Sequence, residues 1–397
     1  MAVPFIDLKR FEPDFLDRWY DRVREVTENT QFVGGPQVAA LEATLADACE
    51  APAVVGCANG TDALQLALRA VGVGPGDTVL LPDATFWATF EAVVNCGARP
   101  VTVDIDRDDL QMDFDVFCHA VEREQPAAAI LVHLYGWGSA RLDDFRRFCR
   151  ARDLPLVEDG AQAYGVRWHD ASIYRDAHVS TISFYPAKVL GACGDAGAVV
   201  CGHGSDDPDG LAIRVRQLGN HGRTAHYGHG LVGWNSRMAG FDAAWLRLSL
   251  EYAPRRLDQR RALAARYRDR LEALGVRCVA PPAGYEENGY LSVTLHHPLQ
   301  RPTLEAALKA AGIGYGTVYP GAMSAQPGAE GVLGAHYGGD AHGGAGDGDG
   351  GAWLGKSVLN LPLFAGMTEA EQDAVIDVVA DAQRSMGLAD APADGSL

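Results

Sequence analysis

The stretch Ser183-Phe-Tyr-Pro-Ala-Lys-Val-Leu-Gly-Ala-Cys-Gly-Asp-Ala-Gly197 is a turn bounded by Pro and Gly, and it joins two short apolar runs. Those runs, Val179–Phe184 and Gly197–Cys201, have the length and β-branched content of buried strands. A lysine in a rigid turn after such a strand is poised to lose solvent, which lowers the pKa of its amine toward the nucleophilic form. Most loop lysines are solvated and inert, however, so Lys188 on its own also fits an ordinary surface lysine.

The same pattern extends outward over residues 52–202, where short apolar runs alternate with helical stretches. This alternation predicts an α/β domain with a mostly parallel sheet. The seven predicted strands are Ala53–Cys57, Thr78–Leu81, Pro100–Val103, Ala128–His133, Leu154–Val157, Val179–Phe184 and Gly197–Cys201. The predicted crossover helices are Asp62–Val71, Phe86–Cys96, Asp113–Glu124 and Leu142–Arg152. Ligands of such sheets bind beyond the carboxyl ends of the strands, so the turns found there are the first candidates for a binding site.

The 397-residue length allows two domains, because single cores stop growing at roughly 250 to 300 residues. A helical stretch over Phe241–Leu274 is predicted to link a large domain, 1–250, to a smaller α+β domain, 251–397. The N-terminal segment is free to pack on the smaller domain. Residues 328–351 are rich in Gly and Asp without periodicity, which predicts a mobile surface loop. His336 and His342 in this loop are interpreted as solvated side chains in preference to metal ligands, and we expect no metal site.

Charge and composition exclude several classes of function. The net charge of −18 argues against nucleic acid as a partner, and an anionic small ligand would need a locally positive pocket. No basic and then apolar leader begins the chain and no apolar run reaches roughly 20 residues, so we expect a cytoplasmic protein that does not insert into membranes. The eight cysteines form no Cys-x-x-Cys pair and are interpreted as reduced, with Cys193 either packed or lining a site.

The turn Cys57-Ala-Asn-Gly-Thr-Asp-Ala-Leu64 ends the first predicted strand and begins a helix. A helix N-terminus directs free N–H groups and a positive dipole end at one point, which suits a phosphate. Gly60 would let the backbone approach, Thr61 would offer its N–H and hydroxyl, and Asp62 would contribute its N–H only. An N-cap by Asn59 or Thr61 explains the same residues equally well.

The turn Leu156-Val-Glu-Asp-Gly-Ala-Gln-Ala163 presents Glu158 and Asp159 at the end of an apolar strand. A carboxylate held there partly out of water needs a cationic partner. In enzymes that use pyridoxal phosphate (PLP), that partner is the protonated ring nitrogen, which lets the ring act as an electron sink. An N-cap or a surface ion pair is the alternative for an isolated Glu-Asp.

These three turns follow one another at spacings of about 100 and then 30 residues, and together they resemble the DegT/StrS family of nucleotide-sugar aminotransferases. The resemblance runs from Phe5 to about Val379. It rests on Gly60–Leu64, Thr85-Phe-Trp-Ala-Thr89, Glu158-Asp-Gly-Ala-Gln162, Ser183–Lys188 with Gly194–Gly197, and Gly233-Trp-Asn-Ser-Arg-Met238. It implies the fold-type I architecture of aspartate aminotransferase, with a large PLP-binding domain and a smaller C-terminal domain.

The resemblance also assigns roles to individual residues. Lys188 would hold PLP as a Schiff base and then move the proton, while Asp159 would pair with the pyridine nitrogen. Gln162 would bind the ring hydroxyl and Phe86 would stack on the ring. The implied phosphate contacts are Gly60, Thr61, Asp62, Ser183 and, from the other subunit of a homodimer, Asn235. One departure is Gly160, where the family usually has Ala, which loosens the turn.

The implied substrate is a keto-hexose carried on a nucleoside diphosphate, with glutamate as amino donor. His133-Leu-Tyr-Gly136 favours the branch of the family that acts at C-3 over the one that acts at C-4. The candidates for substrate contact, or alternatively ordinary surface residues, are Arg223, His226, Tyr227, His229 and Tyr319. A PLP-dependent sugar dehydratase would have histidine in place of Lys188. A non-catalytic regulator of the same fold is opposed by the presence of Lys188, Asp159 and Gln162 together.

Overall fold

An eight-stranded sheet forms the centre of the computed structural model, which describes residues 1–338 and 350–386. Its strands are β1 (Ala53–Cys57), β2 (Thr78–Pro82), β3 (Arg99–Val103), β4 (Ala128–Val132), β5 (Leu156–Asp159), β8 (Val179–Ser183), β9 (Gly197–Cys201) and β13 (Ala335–Tyr337). Two three-stranded sheets contain β6 (Arg167–Trp168), β7 (Ala171–Ser172), β10 (Arg277–Cys278), β11 (Tyr285–Glu286), β12 (Ser292–Leu295) and β14 (Val358–Leu361).

Helices account for most of the remaining regular structure in the described ranges. They are α1 (Phe15–Glu28), α2 (Gly35–Cys49), α3 (Gly60–Ala70), α4 (Trp87–Asn95), α5 (Phe114–Glu124), α6 (Leu142–Arg150), α7 (Pro208–Gly219), α8 (Gly240–Glu272), α9 (Arg301–Ala310), α10 (Gly350–Ser357) and α11 (Glu369–Ser385). A short 3-10 helix covers Pro327–Ala329.

The large sheet has the order β1-β9-β8-β5-β4-β2-β3-β13. Strand β9 is antiparallel to both of its neighbours, and the other pairs are parallel. The strand β4 reads Ala-Ala-Ile-Leu-Val and is buried throughout, because a parallel strand is covered on both of its faces. The seven strands predicted from the sequence are all present and β13 adds an eighth, so the sheet is mostly parallel, as expected.

Two hydrophobic cores sandwich this sheet. One contains residues of α3, α4 and α7, and the other contains residues of α2, α5 and α6. Successive residues of a strand face opposite sides, so Val157 lies in the first core and Leu156 in the second. Because of this alternation, Glu158 and Asp159 lie on opposite faces of β5 and contact different neighbours.

A third core lies between the second half of α8, helices α9 and α11, and strand β14. The N-terminal segment reaches this region, because the N–H of Val3 donates to Gly312 O at 3.2 Å and the N–H of Gly314 donates to Val3 O at 2.8 Å. The predicted division at residue 250 falls inside the continuous helix α8 and stays a prediction.

The prediction of a loop over residues 328–351 is wrong for two of the described segments in that range. Residues Ala335–Tyr337 form β13, which pairs in parallel with β3, and α10 begins at Gly350. This strand could not be predicted from the local sequence pattern, since its pairing partner lies more than 200 residues away. His342 lies outside the described residues. Within the ranges that the structure describes, no helix is both long and apolar enough to cross a membrane.

Candidate active site

The three turns picked out in the sequence lie at one edge of the large sheet. Strands β5 and β8 are parallel, and β1 runs in the same direction because β9 is antiparallel to both β1 and β8. Their carboxyl ends therefore meet. The contact between two of the turns is close enough that a Cβ added to Gly60 would lie 2.7 Å from Ser183 Cβ. The absence of a side chain at residue 60 is what lets the two turns touch.

The N-terminus of α3 is the part of this sheet edge that suits a phosphate group. Gly60 is its first residue, and the first N–H groups of a helix have no partner inside the helix. Asn59 is the N-cap, and its Oδ1 accepts from Asp62 N at 2.8 Å. The cap uses this N–H in the described chain, and the expectation that Asp62 N would serve a phosphate stays a prediction. Gly60, Thr61 and the Ser183 hydroxyl remain positioned around the helix end.

Asp159 ends β5 and is 4% exposed. Its Oδ2 accepts from Thr89 Oγ1 at 2.9 Å, and its Oδ1 accepts from Ala161 N at 3.1 Å. The Thr89 hydroxyl in turn lies 2.9 Å from Thr85 Oγ1. Neither of these donors carries a charge, so the carboxylate is oriented by them but not neutralised. A buried carboxylate in this state suits a cationic ligand.

Gln162 connects this carboxylate turn to a group of aromatic side chains. Its Oε1 accepts from Tyr135 N at 2.7 Å, and its Nε2 donates to Tyr319 Oη at 3.0 Å. Burial raises the pKa of the Tyr319 hydroxyl well above its usual value, so the hydroxyl stays protonated. The ring of Tyr319 lies 5.8 Å from that of Phe86, centroid to centroid. Because a carboxamide nitrogen has two N–H groups, Gln162 keeps one for a ligand.

Lys188 is half-buried in the turn after β8, and its N–H donates to Tyr185 O at 2.8 Å. Its Nζ lies 3.5 Å from Tyr290 Oη and 5.2 Å from the centre of that ring. Tyr290 was not singled out from the sequence, and neither was Thr89. Thr89 carried a weak signal, because it follows Thr85 by one helical turn. Tyr290 carried none, because its position beside Lys188 depends on a contact over 102 residues.

Glu158 points to the opposite face of β5 from Asp159 and serves a different purpose. It is fully buried and accepts two hydrogen bonds at 2.8 Å from the Arg146 guanidinium, while His133 Nε2 lies 2.9 Å from Oε2. Burial raises the pKa of the Glu158 carboxyl, but the charge of Arg146 and the hydrogen bonds outweigh this effect and hold the pKa at about 2. The carboxyl is therefore ionised and paired, which is a structural role.

The departure at Gly160 has a local cause. A Cβ at this residue would lie 2.5 Å from Tyr174 Cε1 and 2.7 Å from Thr181 O. Tyr174 is fully buried, and its hydroxyl donates to Gly160 O at 2.9 Å. The tyrosine ring thus occupies the space that an alanine methyl would need, and the hydrogen bond holds the turn that a missing side chain would loosen.

Four of the five candidates for substrate contact lie together in an exposed hairpin over residues 220–235. The backbones of Arg223 and His229 form an isolated antiparallel β-bridge. The Arg223 guanidinium donates to the backbone oxygens of Ala225 and His226. Tyr227 is 89% exposed. In the described residues, the hydrogen bonds of Arg223 and His229 stay within this hairpin. Tyr319, the fifth candidate, lies inside the site against Gln162.

Asn235 is exposed, and its Oδ1 accepts from Arg237 Nη2 at 2.6 Å. The next residue, Ser236, accepts from Ala58 N at 3.2 Å. The turn that carries Asn235 therefore packs against the β1–α3 turn of its own chain, close to the N-terminus of α3. Whether Asn235 also reaches a second subunit stays a prediction.

Cys193 and His336 have ordinary structural partners. The thiol of Cys193 lies 3.3 Å from Asp242 Oδ1, and burial raises its pKa to about 12. The imidazole Nδ1 of His336 lies 3.0 Å from Thr102 Oγ1, across the β13–β3 pair.

Comparison with known proteins identifies the family. The sequence profile of the DegT/DnrJ/EryC1/StrS aminotransferase family matches residues 16–380. The chain belongs to this family. It is 35% identical over 328 residues to the UDP-2-acetamido-2-deoxy-3-oxo-D-glucuronate aminotransferase of Pseudomonas aeruginosa, covering 82% of this chain and 88% of that protein. It is 33% identical to the UDP-N-acetyl-3-dehydro-alpha-D-glucosamine 3-aminotransferase of Acidithiobacillus ferrooxidans, covering 95% and 97%.

Among solved structures, DesV of S. venezuelae in complex with a ketimine intermediate superposes with a TM-score of 0.86 at 33% identity. The match covers 96% of this chain and 98% of that chain. The expected family, the fold-type I architecture and the aminotransferase class are thus confirmed, and so is PLP, the cofactor of this family. These relatives act on the keto groups of nucleotide-linked sugars.

Proposed function

We propose that this protein transfers an amino group from glutamate to the C-3 keto group of a nucleoside-diphosphate hexose. The observation that carries the chemistry is the Asp159 carboxylate, which is buried, oriented by Thr89 and Ala161, and not neutralised by either. Its natural counterpart is a protonated ring nitrogen. A site built only for structure would pair this carboxylate with an arginine, as Glu158 is paired with Arg146.

The residues at the sheet edge fit PLP. The N-terminus of α3 at Gly60, beside the Ser183 side chain, suits a phosphate. Asp159 would hold the ring nitrogen, Gln162 would donate to the ring hydroxyl, and Phe86 would cover the ring. When bound, PLP supplies an electron sink that stabilises negative charge on the carbon next to the transferred nitrogen.

Lys188 has two tasks in this proposal. Its amine would hold the cofactor, and as the free base it would move a proton to and from the carbon next to the transferred nitrogen. The Tyr290 hydroxyl, 3.5 Å from Nζ, can accept a hydrogen bond from the ammonium and thereby fixes the direction of the lysine side chain. The aromatic side chains of Phe86, Tyr319 and Tyr290 reduce the access of water to the reacting atoms.

The C-3 assignment is supported by the two named relatives, whose substrates carry the keto group at C-3. The His133–Gly136 segment gives less support than expected. His133 is buried and paired with Glu158, and the Tyr135 hydroxyl donates to Val318 O at 2.7 Å. Both side chains therefore support the protein around the site, and neither is free to recognise a sugar.

The test is an amination assay of the PLP-loaded protein with a panel of 3-keto and 4-keto nucleotide hexoses and glutamate, with mass spectrometry of the products. We expect amination of a 3-keto sugar and its loss in Lys188→Ala. Lys188→Ala should also lose the visible absorption of lysine-bound PLP, because no other amine replaces Nζ. Amination of 4-keto sugars alone would contradict the C-3 assignment, and full turnover by Lys188→Ala would contradict the mechanism.

We propose further that the working unit is a homodimer whose two sites each take Asn235 from the partner subunit. Asn235 is exposed on a turn next to Ala58, which is a suitable position for a residue that reaches across a two-fold axis. Mixing Lys188→Ala chains with Asn235→Ala chains tests this, because in the heterodimer both defects fall in one site and leave the other intact. We expect activity to rise on mixing. No recovery after proven subunit exchange would assign Asn235 to the site of its own chain.

A further inference from the structure

A cavity of about 270 Å³ lies on the side of the Lys188 turn that faces helix α8 and the N-terminal segment. Residues 186–189 of the turn form one wall, residues 6–8 of the N-terminal segment form another, and Arg256, Arg260 and Ala365 contribute to the rest. Of the residues assigned to the cofactor, Lys188 is the one that lines this cavity. Asp159 and Gln162 are not among its lining residues.

Arg260 is the unusual group in this cavity. It is 7% exposed, and its Nη1 donates to Gly289 O at 3.2 Å and to Leu363 O at 3.3 Å. Its Nε has no hydrogen-bond partner in the described chain. Carbonyl oxygens satisfy hydrogen bonds, but they do not neutralise a positive charge. Burial lowers the pKa of Arg260 to about 10, which still leaves it charged at neutral pH.

The other arginines around the cavity have carboxylate partners. Arg256 donates to Glu12 at 3.1 Å, and Arg10 donates to Asp7 at 2.7 Å. Among the residues that the structure describes, no carboxylate forms an ion pair with Arg260. Burying a charge without a partner is unfavourable, and an anion bound in the cavity would relieve that cost. The arrangement leaves one positive charge in excess in a cavity large enough for a small organic anion.

The position of Arg260 connects this charge to the reaction. A Cβ added to Gly289 would lie 2.6 Å from Arg260 C, so the two backbones are in contact. The next residue, Tyr290, has its hydroxyl 3.5 Å from Lys188 Nζ. One residue therefore separates the buried guanidinium from the side chain that touches the reacting amine.

We propose that this cavity is a binding subsite for a small carboxylic acid, with the Arg260 guanidinium as its cation. The inference extends the proposed function, because two reactants of that function supply such a group: an amino-donor dicarboxylate, and a hexose oxidised to a uronic acid. Both present a carboxylate, and that shared chemistry is what Arg260 recognises. A carboxylate there would neutralise the buried charge of the Arg260 guanidinium.

The experiment is isothermal titration of the PLP-loaded protein with glutarate, which has the dicarboxylate skeleton of the donor but no amine, and separately with glucuronate. We expect glutarate to bind to the unmodified protein and affinity to fall on the order of tenfold or more in Arg260→Gln, because a charge-assisted hydrogen bond is lost. Arg255→Gln removes an exposed charge from the same helix and serves as the matched control, with affinity unchanged.

A second variant guards against a folding defect in Arg260→Gln. Ala365→Phe leaves Arg260 in place and fills part of the cavity, so it should weaken glutarate binding as well. Stronger binding of glucuronate than of glutarate would assign the subsite to the sugar, and the reverse would assign it to the donor. Equal glutarate affinity in the unmodified protein and both variants, or no binding of either acid, would overturn the subsite. Retained amination of a keto-sugar would show that this failure leaves the proposed function intact.

Discussion

The carboxyl edge of the large sheet and the hairpin over residues 220–235 both carry polar residues expected to work in the reaction, but they are built in opposite ways. At the sheet edge, Asp159 and Gln162 are 4% and 5% exposed, and side-chain or backbone donors from neighbouring turns hold them. In the hairpin, Tyr227 is 89% exposed and Val232 is 85% exposed. The polar side chains there bond to the backbone of the hairpin itself.

The two regions differ in how far the structure of a single chain defines the role of a polar residue. A buried polar group has partners fixed by its own fold, so what it still lacks identifies the ligand, as Asp159 lacks a cation. An exposed group bonded within its own hairpin lacks nothing in the single chain. Its role depends on a partner subunit or on the substrate.

The largest effect is expected for Asp159→Asn. An amide cannot keep the ring nitrogen protonated, so PLP should remain bound while the electron sink weakens. A loss of roughly 4 kcal/mol of transition-state stabilisation corresponds to about a thousandfold lower rate. Steady-state turnover and the absorption spectrum of the bound cofactor measure the two parts separately. Near-normal turnover would show that Asp159 is only structural.

Replacing the adjacent carboxylate should affect stability instead. Glu158→Gln leaves Arg146 buried without a counter-ion, and breaking a buried ion pair in this way costs about 3–5 kcal/mol. Urea unfolding of the PLP-loaded protein measures the loss. Glu251→Gln, which removes an exposed partner of Arg18, should change little and is the matched control. If Glu158→Gln and the Glu251→Gln control have the same free energy of unfolding, the Glu158–Arg146 pair does not contribute this stability.

The same carboxyl predicts a pH dependence. Its pKa in the folded protein, about 2, is below the usual value of 4.5. The stability it contributes is therefore fully present above pH 4.5 and is lost as the pH falls toward 2. The difference in unfolding free energy between the unmodified protein and Glu158→Gln should narrow over that interval.

A smaller effect is expected for Gly160→Ala. The added methyl would press against Tyr174 and Thr181 O, and overpacking of this kind costs about 1–3 kcal/mol. The same substitution should cost less in a Tyr174→Leu background, because part of the obstruction is gone. Gly74→Ala, whose nearest neighbour is the flexible end of Arg69 at 3.5 Å, is the control. Equal costs in the two backgrounds would exclude Tyr174 as the reason for this glycine.

The smallest effect on stability is expected for Tyr227→Ala. A surface substitution away from packed features stays within about 0.5 kcal/mol, so unfolding should be unchanged. If the hairpin contacts the substrate, KM for the nucleotide sugar should rise while turnover at saturation holds. A large loss of stability would show instead that an interface buries Tyr227 in the assembled protein.

Much of the site could be predicted from the sequence because its turns are local. Each of them joins a strand to the segment that follows within a few residues, so the turns that carry Gly60, Asp159 and Lys188 could be located from the pattern of strand, turn and helix. The roles of these residues came from the family resemblance. The residues that were missed meet the site through distant contacts. Tyr290 lies 102 residues from Lys188, and Thr89 lies 70 residues from Asp159.

The sequence by itself determined the alternation of strands and helices, the order of the three turns and the identity of the groups they carry, because hydrophobic periodicity and turn chemistry act over short distances. Only the tertiary structure decided which role each of two neighbouring residues has. Side chains alternate across a strand, so Glu158 meets Arg146 on one face, while on the other face Asp159 has no charged partner among the described residues. Partner identity depends on which elements pack against each face, and no local pattern encodes it.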